Sequence, residues 1–156
     1  TDGQKVWIYY MGGNGQHTNF RESSLGRAYW EADKFACWTE KNEGMESILT
    51  TTTLTLGGNY IEVLADEADA EKDWKLMASV HPVWTENAYE GLGMEDAVTE
   101  KSGRWIRISW KGKKLPDKSG CIRFQFKNLK IWAVRGELEY IGHRLWEGAD
   151  MENEGM

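Results

Sequence analysis

Residues 104–134, RWIRISWKGKKLPDKSGCIRFQFKNLKIWAV, carry three strand patterns in succession, and this run constrains the fold more than any other part of the chain. In Arg104–Trp110 the residues Ile106, Ile108 and Trp110 alternate with Arg107 and Ser109. That is the period of a strand with one face turned to a core. Ile122, Phe124 and Phe126 repeat the pattern against Arg123 and Gln125. Gly112, Pro116–Asp117 and Ser119–Gly120 make a turn-rich link between the two, and Lys127–Asn128 reads as a tight antiparallel hairpin into Leu129–Val134. An aliphatic and phenylalanine face needs a second layer over it. The predicted fold class is therefore all-β, an antiparallel β-sandwich with a jelly-roll-like arrangement.

The rest of the chain agrees. Lys5–Met11 alternates Val6, Ile8 and Tyr10 with Trp7 and Tyr9, both sets apolar, which predicts a strand covered on both sides. A glycine-rich polar loop, Gly12–Ser24, follows. Leu25–Trp30 and Lys34–Glu40 read as strands across a Glu31–Asp33 turn, and the β-branched run Ser47–Leu56 as one strand. Gly57–Asn59 reads as a turn into Tyr60–Ala65. Asp66–Asp73 reads as a solvated acidic loop, with a single helical turn as the alternative. In Trp74–Val80 the residues Trp74, Leu76, Ala78 and Val80 point inward, and Lys75, Met77 and Ser79 outward. From His81 to Gly103 no period is visible. Long irregular connections are often functional, so Trp84, Tyr89, Glu90, Glu95 and Asp96 come forward as a first place to seek a site. Leu138–Ile141 reads as a short edge strand, and Glu147–Met156 as an acidic disordered tail. With 156 residues, the expectation is a single sandwich domain over 1–146, followed by the tail 147–156.

A net charge of −6 argues against nucleic acid and against an anionic membrane surface as partner, since both demand a basic footprint. No apolar run reaches membrane-span length. No signal peptide begins at Thr1, and a secreted chain whose signal had been removed would read the same. Cys37 and Cys121 are the only cysteines, and two readings stay open: a disulfide joining the sheets, or two free thiols. Asp66, Glu67, Asp69 and Asp73 on one loop, with Glu95 and Asp96 on another, offer oxygen ligands for a structural calcium, against the plainer reading of solvated loops. No other cofactor is expected. His17, His81 and His143 lack the spacing of a transition-metal site.

Two segments carry a family resemblance. Ile8–Phe35, IYYMGGNGQHTNFRESSLGRAYWEADKF, resembles the YYGG…GPH…SSIGLA…RRDGF stretch of bacterial proteins built on a five-bladed β-propeller of glycoside-hydrolase type. There it forms the closing propeller strands and the exit into a C-terminal β-sandwich, which places residues 1–33 here as propeller-exit strands. GMESILTTTTLTLGGNYIEVLAD, SGRWIRISWKGKKL and GCIRFQFKNLKIWAV are similar to that sandwich, with its LTTKPL…L…VSWKG…RLRFxLxNAxLYSF pattern. Trp132 stands where that pattern has Tyr, and WEADKF replaces LRRDGF. The blades that bear the family's acidic catalytic residues are missing, so no catalytic residue carries over. The resemblance implies a non-catalytic, carbohydrate-associated module in an extracellular or periplasmic setting, with a polysaccharide or oligosaccharide and an attached or partner glycoside hydrolase domain as its partners.

Sugar recognition needs a flat aromatic face for the C–H side of a pyranose and planar polar groups for its hydroxyls. Nine Trp exceed what a sandwich core of this size uses, so two or three are expected on display. Trp105 beside Arg107, extended by Trp132 beside Lys130, is the first candidate platform and would suit an extended polymer. Trp84 and Tyr89, with Glu86, Asn87 and Glu90, are the second and would suit a chain end or short oligosaccharide. Packing under a loop or against a strand is the competing reading for each of these rings. Two other functions stand beside this one: a structural domain whose Ile8–Phe35 segment completes a partner's sheet, and a small polysaccharide-active enzyme, for which no carboxylate pair or GxSxG motif is apparent.

Overall fold

The computed structural model describes residues 5–15 and 22–141. The chain divides into two compact units, Thr1–Cys37 and Trp38–Met156, where the sequence suggested one domain over 1–146.

In the first unit β1 (Lys5–Gly13) and β2 (Ser23–Glu31) pair antiparallel over their whole length, from Lys5 opposite Glu31 to Gly13 opposite Ser23. One face stacks Trp7 on Tyr29, with the Arg27 guanidinium 4.3 Å from the Trp7 ring. On the other face the Tyr10 ring lies across Gly26, where a Cβ would come within 2.4 Å of it. Tyr9, Tyr10, Met11 and Leu25 are exposed, so the expectation of a strand covered on both sides does not hold. The turn after Trp30 is present, with Asp33 at φ 67 and Lys34 N bonded to Glu31 O. The strand expected over Lys34–Glu40 is absent; only Trp38 bridges, exchanging two backbone hydrogen bonds with Ile131.

The second unit is an antiparallel sandwich. One sheet has the order β6 (Ala97–Ser102), β7 (Trp105–Trp110), β4 (Leu54–Glu67), β9 (Leu129–Tyr140), and the other β3 (Ser47–Thr50), β8 (Lys118–Lys127), β5 (Lys75–His81). The first residues of β4 and β8 pair across the corner, Leu54–Leu56 against Lys118–Gly120. The antiparallel pairs are nested, β6–β7 inside β5–β8 inside β4–β9, which is the jelly-roll principle. Inward residues of the alternating strands meet between the sheets: Ile61, Val63, Ile106, Ile108 and Trp110 from one, Leu76, Ala78, Val80, Ile122, Phe124 and Phe126 from the other. Each such side chain contributes roughly 1.5–3 kcal/mol relative to exposure. The Trp110 indole N–H, the one polar atom of that ring, is satisfied by the Ala78 carbonyl at 3.1 Å.

Five local expectations do not hold in this unit. Asn128 does not close a hairpin: β8 and β9 lie in different sheets, and the chain crosses between them at Asn128, φ 53. The run Ser47–Leu56 is two strands, because Thr51 leaves the β3 ladder to bond Ile122 through both its N–H and its hydroxyl. Gly57–Asn59 is a bulge inside one continuous β4, its register against β9 shifting between Gly57 and Ile61 while Gly58 takes φ +83. The connection His81–Gly103 is shorter than it reads, since a 3-10 turn, Met94–Asp96, leads into β6, and β9 runs unbroken to Tyr140. Among the described residues no helix is long and apolar enough to cross a membrane. His17, His143 and the tail 147–156 lie outside the described residues.

Candidate functional site

The outer face of the β6–β7–β4–β9 sheet carries the first predicted platform. Trp105 and Trp132 do share this sheet, with β4 between them. Trp105 is 9 % exposed, however, and the Arg135 guanidinium lies 4.0 Å above its ring. The cause is a row of alternating charge running across four strands: Glu100 opposite Arg107, Arg107 opposite Glu62, Glu62 opposite Arg135. Glu62 bonds Arg107 at 3.1 Å and Arg135 at 2.8 Å, and these two arginines hold its carboxyl below the usual range. Arg107 also stacks on Tyr60 at 4.2 Å. The row fixes Arg135 over Trp105, and both rings and guanidiniums are spent on each other. Trp132 is half-buried, its indole N–H donated to Asp66 at 2.9 Å. Lys130 is exposed beside it. Trp105, expected on display, thus offers no open stacking face.

Among the described residues the tryptophans that do face water are Trp30, Trp38 and Trp84, the last 80 % exposed. Trp84 belongs to the loop that follows β5 and turns back along the edge of β5 away from β8, with Glu86 reaching Arg123 of β8. This fold-back is fixed by the backbone, since Tyr89 N donates to Val80 O and Val80 N to Leu92 O. Between the loop and the start of β4 opens a cleft of about 470 Å³. Trp84 and Tyr140 supply its aromatic rings, Thr50–Thr53 its hydroxyls, and Arg123, His81 and Glu86 its planar polar groups. Tyr140 is exposed as well. Trp84 has φ 65, a left-handed backbone that a bulky side chain rarely adopts and that costs of order 1–3 kcal/mol.

On the floor of the cleft, Arg123 Nη1 donates to Glu86 at 3.0 Å. His81 is 6 % exposed and its Nε2 lies 2.7 Å from Ser79 Oγ, while Nδ1 makes no hydrogen bond to protein. Burial, and next the charge of Arg123, lower the His81 pKa. The Ser79–His81 pair has the contact of a nucleophile and its base, but Ser79 is 3 % exposed and does not line the cleft. Glu86 is the one carboxylate among the described residues of the cleft wall.

The second predicted cluster is therefore split. Trp84 and Glu86 reach the cleft, whereas Tyr89 turns to the sandwich, its hydroxyl donating to Ser119 O at 3.2 Å and its ring facing Lys118. The Thr run, Arg123 and Tyr140 were missed as site residues. Their one signal in sequence is a block of four threonines, which puts hydroxyls on both sides of a segment where a strand needs only one polar face.

Four of the six acidic residues proposed for calcium are engaged elsewhere. Asp66 meets Trp132, Glu67 meets Lys101, Asp69 meets Lys72 and its own loop backbone, and Asp96 meets Lys111. Among the described residues no group of three or more His, Cys, Asp or Glu is placed to hold a metal ion. Cys37 and Cys121 are free thiols, both half-buried. Comparison with protein-family models, with curated proteins and with solved structures yields no match.

Proposed function

We propose that the protein is a non-catalytic carbohydrate-binding module, and that the Trp84 cleft is where the sugar binds. The observation that carries this reading is an 80 % exposed indole, on a strained backbone, at the rim of a cleft whose other walls are hydroxyls and planar polar groups. Backbone strain at an exposed aromatic points to a fixed stacking surface. Water-facing threonine, arginine and carboxylate groups beside it match the hydroxyls of a pyranose. A volume of about 470 Å³ is that of a small-molecule site, so the ligand is a chain end or a short oligosaccharide. Glu86 is the one carboxylate among the described residues of the cleft wall, which favours binding over glycoside hydrolysis, a reaction that uses two. The setting is extracellular or periplasmic, as the family resemblance implies. A glycan array probed with the whole chain tests the proposal: retention of an oligosaccharide set, without turnover, supports it, and an empty array overturns it.

The β1–β2 hairpin supports a second role, docking on a glycoside hydrolase domain. A two-stranded sheet is at best marginally stable in water. This one displays Tyr9, Tyr10, Met11, Leu25 and Tyr29. Co-migration of the chain with such a domain in size-exclusion chromatography, lost when Met11 and Leu25 are changed to Ser, tests that role.

A further inference from the structure

Among the described residues lining the cleft Arg123 is the one arginine or lysine, and a single hydrogen bond to Glu86 holds it. Its side chain is 24 % exposed, so it is partly desolvated on the cleft floor. Its partner among the described residues is Glu86, reached through Nη1 alone, although a guanidinium presents five N–H donors in a planar fork. Glu86 itself is 88 % exposed, on the loop that forms one wall. A pair held by one hydrogen bond to so exposed a carboxylate is worth little, and a second carboxylate approaching from the cleft exchanges with it readily. Among the described residues of the cleft no second carboxylate opposes an anion. Burial and Arg123 lower the His81 pKa, and the hydroxyls of Thr50–Thr53 donate as easily as they accept.

Resting on the carbohydrate reading above, we infer that the cleft selects an acidic sugar, a uronic acid whose carboxylate takes the Arg123 fork in place of Glu86 while its ring stacks on Trp84. Glu86 then acts as an internal placeholder, keeping the guanidinium oriented when the cleft is empty. Carboxylate and guanidinium match in a two-bond, coplanar geometry that a hydroxyl cannot reproduce.

The experiment is a paired array on which each uronate oligosaccharide stands beside its neutral hexose counterpart and its methyl ester, probed with the wild-type chain, Glu86→Gln and Arg123→Gln. The uronate is expected to bind at least about tenfold more tightly than its methyl ester, the value of a charge-assisted pair. Glu86→Gln, a change on an exposed loop, is expected to tighten uronate binding by about two- to fivefold, the worth of the exposed pair it removes. Arg123→Gln is expected to erase the ratio between acid and ester. Equal or better binding of the neutral members overturns the inference while leaving the carbohydrate reading standing. Binding to neither overturns both.

Discussion

The side-chain amide of Asn128 grips the backbone of Asp69 on both sides: Oδ1 accepts from Asp69 N at 2.8 Å, and Nδ2 donates to Asp69 O at 2.7 Å. Nδ2 also donates to Lys72 O at 2.7 Å, and the Asn128 N–H is taken by the Glu40 carboxylate at 2.8 Å. With 2 % exposure and φ 53, Asn128 pins the acidic loop to the point where the chain passes from one sheet to the other. Asn tolerates a left-handed backbone better than most residues, and its amide alone offers both a donor and an acceptor in one plane.

Asn128→Ala is therefore expected to cost about 3 kcal/mol or more, since it orphans buried backbone groups and places Ala at positive φ. Asn128→Gly keeps the backbone conformation and is expected to cost less. Asn128→Asp turns an acceptor toward two carbonyls and does not rescue. Urea unfolding of the three variants checks the order.

Trp105 and Glu62 are structural in this account. Trp105→Ala is expected to lower stability by about 3 kcal/mol, the low end for a buried aromatic, because Arg135 can settle into part of the space. Glu62→Gln is expected to cost about 1–2 kcal/mol, short of a fully buried ion pair because the two arginine side chains are about half exposed. Thermal melts, read beside glycan retention at a temperature where both variants remain folded, should show lower midpoints with retention preserved.

His81 makes stability depend on pH in a definite direction. Its folded pKa lies below the ordinary 6.5, so the unfolded chain takes up the proton first as pH falls. The contribution is complete above about pH 6.5 and is lost as pH drops toward the folded value. Unfolding midpoints measured between pH 8 and pH 5 should fall on the acid side. His81→Gln, which carries no titrating ring, should flatten that part of the curve.

The alternation of Ile106, Ile108 and Trp110, and of Ile122, Phe124 and Phe126, made the all-β sandwich legible, because burial of one face imposes period 2 whatever the partner strand. Which strands pair was not written there. Asn128 has the look of a hairpin turn, yet the bonds that turn it into a crossover come from Asp69 and Lys72, far away in sequence. The same holds for the site. Trp84 stood out as an aromatic in an irregular loop, and it is exposed. Trp105 looked equally free on its own strand, and only the cross-strand register that brings Arg135 over it shows that it is covered. Arg123 and Thr50–Thr53 face one cleft because the loop after β5 turns back along the edge of β5 and brings Glu86 to Arg123 of β8, a long-range event with no local signature.

The most direct test is Trp84→Gly. Glycine accepts φ 65 without strain, so the variant should be as stable as the wild type, or up to about 1 kcal/mol more so. Titration calorimetry with the tightest oligosaccharide from the array should then show affinity reduced by about tenfold or more, the loss of one stacking surface. A Trp84→Gly protein that melts like the wild type and binds that oligosaccharide with unchanged affinity contradicts the account.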